Sequence, residues 1–427
     1  MKKTIIVFGA LAVLAAFGLA AKATDNVTKA KPSSSTEPSG IKYSVPAASS
    51  GIAAKYPGDK GIEQDKSVIF HEDFEQGTIS DLASRWTEIS NKDRRILDFV
   101  TDSVPGSTGT RSLRMTATKG HDTGGHLWKL LDPGYDQLYA RFYVKFAKDA
   151  PYVHHFVHMG GQMNSPPYPL GGAGSRPSGN ASFSTGIDLA NREQAAPPGA
   201  WLLYTYWCEM RSYETPEGKG TIYYGNAFEP TKLQQAPRDR WQCVEFMIKT
   251  NSAPDKSDGE EVFWINGRLI ARFAPGTPSG TWLRDKFHVT GTFNTNPQPF
   301  EGFRWRTTNA LKINWFWLLY YLASVFENDI KPADPTIPYN SQKGEVLFDD
   351  IVLSTEYIGP ITTVPPDSGQ TGCDFNGDGR VNVVDVIQLL RLHFNNPQDT
   401  RADYDGDGES TVRDALALLF DIIAGKC

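Results

Sequence analysis

The stretch Trp241-Gln242-Cys243-Val244-Glu245-Phe246-Met247-Ile248-Lys249 decides the fold of the larger part of this chain. Apolar and mixed positions alternate along it, and a period of two is typical of a β-strand whose two faces lie in different surroundings. The face formed by Val244, Phe246 and Ile248 is apolar throughout and is expected to pack against a second sheet. The other face is mixed, and three of its residues are expected on an outer, concave surface: Trp241, Glu245 and Lys249.

Short stretches of the same kind recur from about residue 67 to residue 360, separated by glycine, proline and asparagine. They predict an all-β jelly-roll sandwich, because no ten-residue helical pattern competes with them. The apolar segment from Ile313 to Phe326 is too short and too aromatic for a membrane span, so we interpret it as a buried strand. The predicted strands are Ser112 to Ala117, Leu138 to Phe146, Leu202 to Met210, Trp241 to Lys249, Val262 to Trp264, Phe287 to Thr292, Leu311 to Tyr321 and Glu345 to Ser354.

Two of the four cysteines lie in these predicted strands. Cys208 shares one strand face with Tyr204 and Tyr206, and Cys243 lies on the mixed face of the opening stretch. The two thiols could approach each other if their strands are neighbours in a sheet. A disulfide and a pair of buried thiols are both compatible with this placement.

The first 66 residues have the composition of a leader followed by a tether. Lys2-Lys3 precedes an apolar run from Thr4 to Ala21, and the small residues near Ala23 suit a cleavage site. We therefore predict a secretory signal peptide over residues 1–23, and an extracellular or cell-surface protein. Residues 24–66 are rich in Ser, Pro, Ala and Lys without periodicity, which predicts a flexible, disordered linker.

The charge of the chain is concentrated at its end. The formal net charge is -6 at pH 7, and residues 372–427 hold ten acidic and five basic side chains, which is -5 of that total. The remainder is close to neutral and contains many aromatic residues, glycines and prolines. A nearly neutral domain offers no basic surface for nucleic acid.

Two acidic loops near the end have the spacing of calcium sites. Asp374-Phe375-Asn376-Gly377-Asp378-Gly379 is followed about thirty residues later by Asp403-Tyr404-Asp405-Gly406-Asp407-Gly408. Each begins a twelve-residue run of oxygen ligands with glycine at the sharp turn of position 6, so we expect two bound Ca²⁺ ions. The expected ligands are Asp374, Asn376, Asp378, the Arg380 carbonyl, Asn382 and Asp385 in the first loop, and Asp403, Asp405, Asp407, the Glu409 carbonyl, Thr411 and Asp414 in the second.

A short amphipathic helix is predicted after each loop, and position 12 is Asp in both loops. With these features residues 372–427 resemble a type I dockerin, beyond a proline-containing linker at residues 361–371. The resemblance implies a small all-α calcium-binding module that docks on a cohesin, with another surface receptor as the alternative partner. At loop positions 10 and 11 this chain has Val383-Val384 and Val412-Arg413, where dockerins often carry a small hydroxyl pair. Cys373 and Cys427 bracket the module, as a disulfide or as two thiols.

Histidine is concentrated in one part of the predicted sandwich, where five of the eight lie between His121 and His158. Three of them directly precede a loop rich in Gly, Pro and Ser from Gly160 to Gly179, and such loops often border a binding groove. The flanking Pro151 and Gly160-Gly161 disfavour a helix that would pair two histidines on a metal. A single histidine is more often hydrogen-bonded and inert, but this clustering favours a functional role for His154, His155 and His158.

Several segments of the sandwich resemble secreted bacterial jelly-roll proteins related to polysaccharide lyases of the alginate and glucuronan lyase type. The resemblance covers most of residues 67–360 and rests on scaffold strands, so it implies a concanavalin-like fold more directly than an activity. The segments are Leu138 to Phe146, His154-His155, Gly160-Gly161, Trp201 to Met210, Trp241 to Lys249, Phe263 to Gly267 and Phe348 to Leu353.

The resemblance implies β-elimination on a uronate-containing polysaccharide. This reaction needs a group that neutralises the uronate carboxylate, a base for the C5 proton and an acid for the leaving oxygen. The candidates for neutralising the carboxylate are Arg141, Lys145 and Lys249. The candidate bases are His154, His155 and His158. Tyr204 or Tyr206 could serve as base or acid. Further expected site residues are Glu245, as an ion-pair partner or a ligand of a sugar hydroxyl, and, as substrate contacts, Trp201, Trp241, His158 and Lys145.

Two other functions are compatible with the sequence. Glu209 and Glu245 could form a hydrolase pair, although regular strands place them on opposite faces and a retaining glycosidase needs carboxylates about 5 Å apart. A sugar-binding protein without catalysis would use exposed tryptophans. Dockerin-type modules usually accompany catalytic domains, which favours an enzyme. The tryptophans available for stacking are Trp128, Trp201, Trp207, Trp241, Trp282 and Trp305.

Overall fold

The computed structural model describes residues 51–164, 172–190, 194–362, 373, 375, 381–395, 402–405 and 409–423. The predicted signal peptide and most of the predicted linker at residues 361–371 lie outside these ranges. Within the described ranges, no helix has both the length and the apolar character needed to cross a membrane.

The described residues are mostly β-structure, which confirms the predicted all-β sandwich followed by a small helical part. The strands are β1 (Val68–Glu72), β2 (Glu88–Ser90), β3 (Leu97–Val100), β4 (Ser112–Thr118), β5 (Gly124–Tyr135), β6 (Gln137–Phe146), β7 (Val157–Gln162), β8 (Ser182–Ala190), β9 (Ala200–Tyr206), β10 (Asn226–Phe228), β11 (Gln242–Lys249), β12 (Glu260–Ile265), β13 (Arg268–Phe273), β14 (Ser279–Leu283), β15 (Lys286–His288), β16 (Gln298–Pro299), β17 (Ile313–Tyr321) and β18 (Lys343–Ser354). The α-helices are α1 (Ala323–Glu327), α2 (Val383–Asn395) and α3 (Val412–Ile423).

The strands form two sheets that pack face to face. The first sheet has the order β13-β12-β11-β6-β18-β4-β3, with β1 paired to β18, and the second has the order β16-β14-β15-β10-β9-β8-β7-β17-β5-β2. Neighbours run antiparallel in the described pairs except β10 and β15, which run parallel. Strands close in sequence, such as β6 and β7, lie in different sheets, so the chain crosses repeatedly between the two layers.

The core lies between the sheets, as the opening stretch predicts. Val244, Phe246 and Ile248 of β11 are fully buried there. The facing residues of β8 and β9, Ile187 and Leu203, are buried in the same cluster. Each such side chain contributes roughly 1.5–3 kcal/mol by leaving water, so this alternation fixes which face of each strand turns inward.

The outer face of the first sheet is covered by two chain segments, one before β1 and one after β18 in the sequence. Residues 51–66, predicted as linker, form short 3-10 turns, and Ile52 and Ile62 pack on Val352 and Ile358. The backbone amide of Ile52 also donates to the carbonyl of Tyr357 at 3.1 Å. The prediction of a flexible linker is therefore wrong for residues 51–66, whose apolar side chains find a site on this sheet.

The predictions made around Cys208 differ from the structure. The strand predicted from Leu202 to Met210 ends at Tyr206, because the chain turns inward there and Trp207 is buried with its Nε1 3.3 Å from Asn226 Oδ1. Cys208 lies after β9 of the second sheet, whereas Cys243 lies on β11 of the first. Both are free thiols, so the disulfide between them does not form.

The C-terminal helices α2 and α3 form a small separate core. Val386, Leu389, Ala415 and Leu418 are buried against each other, together with Cys373. Cys373 is disulfide-bonded, which is one of the two alternatives that the sequence leaves open, and Cys427 lies outside the described residues. The two equivalent aspartates Asp385 and Asp414, one in the first turn of each helix, are also buried.

Candidate active site

The outer face of the second sheet collects polar side chains at its centre, on strands β7, β8 and β9. His158 lies opposite Gly186, and Gly186 lies opposite Tyr204, so the three share one face across three strands. Asp188 and Tyr206 lie on this face two residues away along their own strands. The alternation that buries Ile187 in the core therefore presents the neighbouring aspartate to the outer face.

Asp188 holds two histidines. His155 Nδ1 lies 2.8 Å from Asp188 Oδ2, and His158 Nε2 lies 3.5 Å from Asp188 Oδ1. The backbone amide of Phe156 donates to Asp188 Oδ1 at 2.6 Å. Since a carboxylate accepts, the 2.8 Å contact assigns the proton of neutral His155 to Nδ1 and leaves Nε2 as the basic atom.

Asp188 is negatively charged in this arrangement. Burial alone would raise its pKa, but the electrostatic effect of the two neighbouring imidazoles and the hydrogen bond from His155 outweigh it and hold the pKa of Asp188 well below its ordinary value. An ionised, buried carboxylate that orients a histidine also stabilises the imidazolium formed when that histidine takes up a proton. The site therefore contains a histidine suited to general-base chemistry.

Tyr204 and Tyr206 form the second half of the site. The ring of Tyr204 lies 5.3 Å from that of His155 and 5.7 Å from that of Tyr206. Burial first, and then Tyr206, raise the pKa of Tyr204 well above its ordinary value, and burial also raises the pKa of Tyr206. Both phenols are therefore protonated at neutral pH and can donate a proton or a hydrogen bond.

Two glycines make room for these rings. A Cβ at Gly186 would lie 2.5 Å from Nε2 of His158, and a Cβ at Gly225 would lie 2.4 Å from the ring of Tyr204. Neither position tolerates a side chain without displacing a site residue. The space for the rings of His158 and Tyr204 therefore depends on Gly186 in β8 and on Gly225 directly before β10.

Aromatic rings border the histidines. Tyr321 stacks on His155 with ring centres 6.3 Å apart, and His154 lies 4.2 Å from His155 and 5.6 Å from Tyr321. Trp317 lies 6.2 Å from His158 on the other side. The rings restrict His155 to one orientation and give the site an apolar rim of the kind that sugar faces contact.

The loop rich in Gly, Pro and Ser contributes a cation, Arg176, beside Tyr223. Arg176 is exposed and its guanidinium carbon lies 5.3 Å from the ring centre of Tyr223. The backbone of Gly174 pairs with Tyr223, two residues before the glycine under Tyr204. Sequence reasoning placed this loop at the border of a groove but did not single out Arg176.

Asp188 was also missed from the sequence. The available signal was a lone aspartate in an otherwise small and apolar stretch, Ser182 to Ala190. A single acid inside a buried strand requires partners, and here those partners are two histidines.

The structure brings together His155, His158, Tyr204 and Tyr206, with His154 packed beside them. The other predicted catalytic residues lie on the first sheet. Arg141 is fully buried and forms an ion pair with Asp59, and its Nη2 donates to the carbonyl of Asp350 at 3.0 Å. Because it is inaccessible, it cannot contact a polysaccharide.

Glu245 and Lys249 are also bound to structural partners. Glu245 is 1% exposed and accepts hydrogen bonds from the amides of Ile358 and Gly359 at 2.8 and 2.9 Å. Burial raises its pKa to about 7 against the lowering effect of these amides. Lys249 Nζ lies 3.1 Å from Glu260 Oε1. The predicted accessible surface containing Glu245 is wrong, because the chain after β18 covers it.

The predicted substrate contacts Trp201, Trp241 and Lys145 likewise lie away from the histidines. Trp201 is in the core and donates to Gln242 Oε1 at 2.8 Å. Trp241 and Lys145 both bind Asp102, at 3.0 and 2.9 Å. Trp241 is 9% exposed, so neither tryptophan offers an open ring face.

The positions of the two glutamates and of the tryptophans bear on the alternative functions, hydrolysis and sugar binding. Glu209 lies after β9, 3.6 Å from Arg304, and Glu245 is buried on the opposite sheet, so they form no hydrolase pair. Among the tryptophans considered for stacking, four have fully buried side chains: Trp128, Trp201, Trp207 and Trp305.

Within the part of the chain that the structure describes, two groups of side chains have donor atoms close enough for a metal. One is His155, His158 and Asp188, and the other is Asp403, Asp405 and Asp414, with all donor atoms in each group within 4.8 Å of one another. In the first group His155 Nδ1 is hydrogen-bonded to Asp188, whereas His158 Nε2 has no hydrogen-bond partner within the described residues. The second group belongs to the predicted second calcium loop.

Three predicted ligands of the second calcium loop lie close together, namely Asp403, Asp405 and Asp414. Asp414 Oδ2 accepts from the amide of Thr411 at 2.7 Å, and Asp414 Oδ1 accepts from the amide of Asp405 at 3.0 Å. In the first loop Asp385 Oδ2 accepts from the amide of Asn382 at 2.8 Å. Oxygen donors held in this way suit Ca²⁺. Predicted ligands outside the described residues are Asp374, Asn376, Asp378, Arg380 and Asp407.

Comparisons with known proteins return distant structural matches. Alginate lyase Aly36B aligns over 68% of this chain and 97% of its own, with 13% identity and a TM-score of 0.39. Alginate lyase vAL-1 from Chlorella virus aligns over 68% and 100%, with 12% identity and a TM-score of 0.42. The endo-beta-1,4-glucuronan lyase from the fungus Trichoderma reesei aligns over 70% and 99%, with 16% identity and a TM-score of 0.38. No family model and no curated protein sequence matches the chain. At these values the likeness carries no argument about activity, which has to come from the site.

Proposed function

We propose that the protein is a secreted lyase that cleaves a uronate-containing polysaccharide by β-elimination on the outer face of the second sheet. The observation that carries this proposal is the 2.8 Å contact between His155 and the ionised Asp188, next to the protonated Tyr204. A base and an acid on one open face are what the reaction requires.

The proposed chemistry uses His155 as the base. Its Nε2 removes the C5 proton of the uronate, the C5–H electrons form the C4–C5 double bond, and the C4–O bond breaks. Tyr204 or Tyr206 donates a proton to the departing oxygen, so that charge does not accumulate on it. Asp188 stabilises the imidazolium of His155 between these steps.

The uronate carboxylate needs a positive or hydrogen-bonding partner to acidify the C5 proton. Arg141, Lys145 and Lys249 belong to the other sheet, and the proposal assigns this role to Arg176. The arginine is exposed and lies beside Tyr223, two residues before the glycine that adjoins the ring of Tyr204. A planar guanidinium matches a carboxylate in a two-point hydrogen bond.

A substrate panel tests the proposal. Purified protein is incubated with alginate, glucuronan, pectate and a glycosaminoglycan, and ultraviolet absorbance and reducing ends are followed together. We expect both signals to rise for at least one polymer, because elimination creates an unsaturated uronate and a new reducing end. Reducing ends without absorbance would indicate hydrolysis, and binding without either would indicate a sugar-binding protein.

We further propose that the C-terminal residues form a calcium-dependent docking module for a cohesin or another surface partner. The supporting observation is a repeated set of exposed apolar side chains on the two helices. Val383 and Val412 are equivalent in the two repeats, as are Ile387 and Leu416, and all four are at least 45% exposed. Apolar side chains repeated on two exposed helix faces are typical of an interaction surface.

Calcium binding is expected at two sites per chain. Titration calorimetry of the full-length protein should give two Ca²⁺ ions, and replacing both Asp385 and Asp414 by alanine should abolish binding, because each closes its loop. The double variant Asp98→Ala and Asp334→Ala, which removes exposed acids of the sandwich, is the control. Unchanged calcium binding after loss of Asp385 and Asp414 would rule out the two loops as the sites.

A further inference from the structure

A carboxyl group lies in the core directly behind the proposed site. Glu261 of β12 faces inward, paired across the first sheet with Ile248 and Phe273, and its side chain is fully buried. It reaches the second sheet, where Thr205 Oγ1 donates to Glu261 Oε2 at 2.9 Å. A carboxyl group in such an apolar setting lowers stability unless hydrogen bonds compensate for its burial.

The hydroxyl that it contacts belongs to the strand pair that carries the site. Thr205 lies between Tyr204 and Tyr206, and its Oγ1 is 2.8 Å from Thr185 Oγ1 on β8. The two threonines are direct cross-strand partners, next to Tyr204 and Gly186 on the opposite face. One hydrogen-bonded chain therefore joins the first sheet to the inner face of β9 and then to β8.

The apolar surroundings of Glu261 favour its uncharged form. Burial raises the pKa of Glu261 to about 8, against a smaller lowering by the hydrogen bond from Thr205 and by the nearby hydroxyl of Thr185. Its Oε1 has no hydrogen-bond partner within the described residues. An ionised carboxylate would leave that oxygen charged and unsolvated in the core.

We propose that Glu261 is a positioning residue for the active site, which fixes the register and spacing of β8 and β9 from behind through Thr205 and Thr185. Asp188, which holds the base His155, and the acid Tyr204 extend from the outer faces of these two strands. Movement of the strands therefore changes the distance between base and acid. The inference rests on the proposed lyase function for its catalytic consequence, but not for its effect on the strands.

Ionisation of Glu261 should therefore disturb both stability and activity. The folded pKa lies above the ordinary value of 4.5, so the folded state holds the proton more tightly than the unfolded state. The stability due to the neutral group is complete below about pH 4.5 and is lost as the pH rises to about 8. Within the folded protein, the neutral fraction falls by about tenfold per pH unit above the folded pKa.

The test compares the full-length wild type with E261Q and E261L. Glutamine keeps the shape and the bond to Thr205 but cannot ionise, and leucine removes the bond. We measure the thermal midpoint and kcat from pH 5 to pH 9. E261Q should retain wild-type kcat at pH 6, lose less thermal stability than wild type as the pH rises, and keep its activity at pH 9, where wild type loses about tenfold. E261L should lower kcat at every pH.

An alkaline decline in kcat of equal size in wild type and E261Q would overturn the proposal, even if their thermal midpoints differ, because Glu261 would then be only structural. Wild-type kcat in E261L would overturn it as well. If no polymer is cleaved, the lyase function fails separately. Near-ultraviolet circular dichroism of the tyrosines then decides the inference: a change between pH 7 and pH 9 in wild type but not in E261Q supports it, and identical titrations contradict it.

Discussion

His155→Ala is expected to lower kcat by about 10²–10⁴-fold, with a much smaller change in KM, because the variant loses the base that removes the C5 proton. Asp188→Asn should cause a similar loss, since an amide can donate to Nδ1 and favour the wrong tautomer of the ring. The measurement is the initial rate of absorbance increase on the polymer selected by the substrate panel. Both variants should retain the thermal midpoint to within a few degrees if they remain folded.

His121→Ala is the matched control, because His121 is an exposed histidine in a turn outside the site. Its rate should equal that of wild type. Arg176→Ala should raise KM and also lower kcat, since a contact that acidifies the C5 proton acts in the bound substrate and more strongly in the transition state. A His155→Ala protein with wild-type kcat would exclude His155 as the base and leave the reaction without its central group.

Arg141→Leu is expected to destabilise the sandwich by about 3–5 kcal/mol, because removal of one partner leaves the buried Asp59 uncompensated. The arginine also donates to the carbonyls of Asp350 and Gly359, so the variant loses contacts that hold the covering segments on the first sheet. Urea unfolding followed by tryptophan fluorescence measures the change in free energy of unfolding.

Arg114→Leu provides a comparison on strand β4 of the same sheet. Its ion pair with Asp98 is exposed at 2.7 Å, and exposed pairs contribute at most about 1 kcal/mol. If the two variants lose equal stability, the buried ion pair of Arg141 with Asp59 stabilises the sandwich no more than the exposed pair does. If Arg141→Leu is stable but inactive, Arg141 has a role in the reaction that its burial argues against.

The strand content and core were predictable because burial imposes a period of two on the sequence. Val244, Phe246 and Ile248 follow that rule, and the structure confirms their inward orientation. The assignment of the other face was less successful. Glu245 and Trp241 look like surface residues by alternation, but segments distant in sequence cover them, and no local pattern reports such a cover.

The site was only partly predictable for the same reason. His155, His158, Tyr204 and Tyr206 attract attention by clustering and composition, and the structure brings them together. Arg141 and Lys249 were attractive by charge alone, and charge does not reveal which sheet a strand joins. The topology separates these residues from the histidines, because β6 and β11 belong to the first sheet and β7 belongs to the second.

The most direct test of the central claim is the mass of the products formed by the full-length wild type from a defined uronate oligosaccharide. β-elimination predicts one fragment with an unsaturated uronate, lighter by one water molecule than its hydrolytic counterpart, and absent with His155→Ala. Fragments with only hydrolytic masses, or unsaturated fragments formed equally by His155→Ala, would contradict a lyase centred on His155.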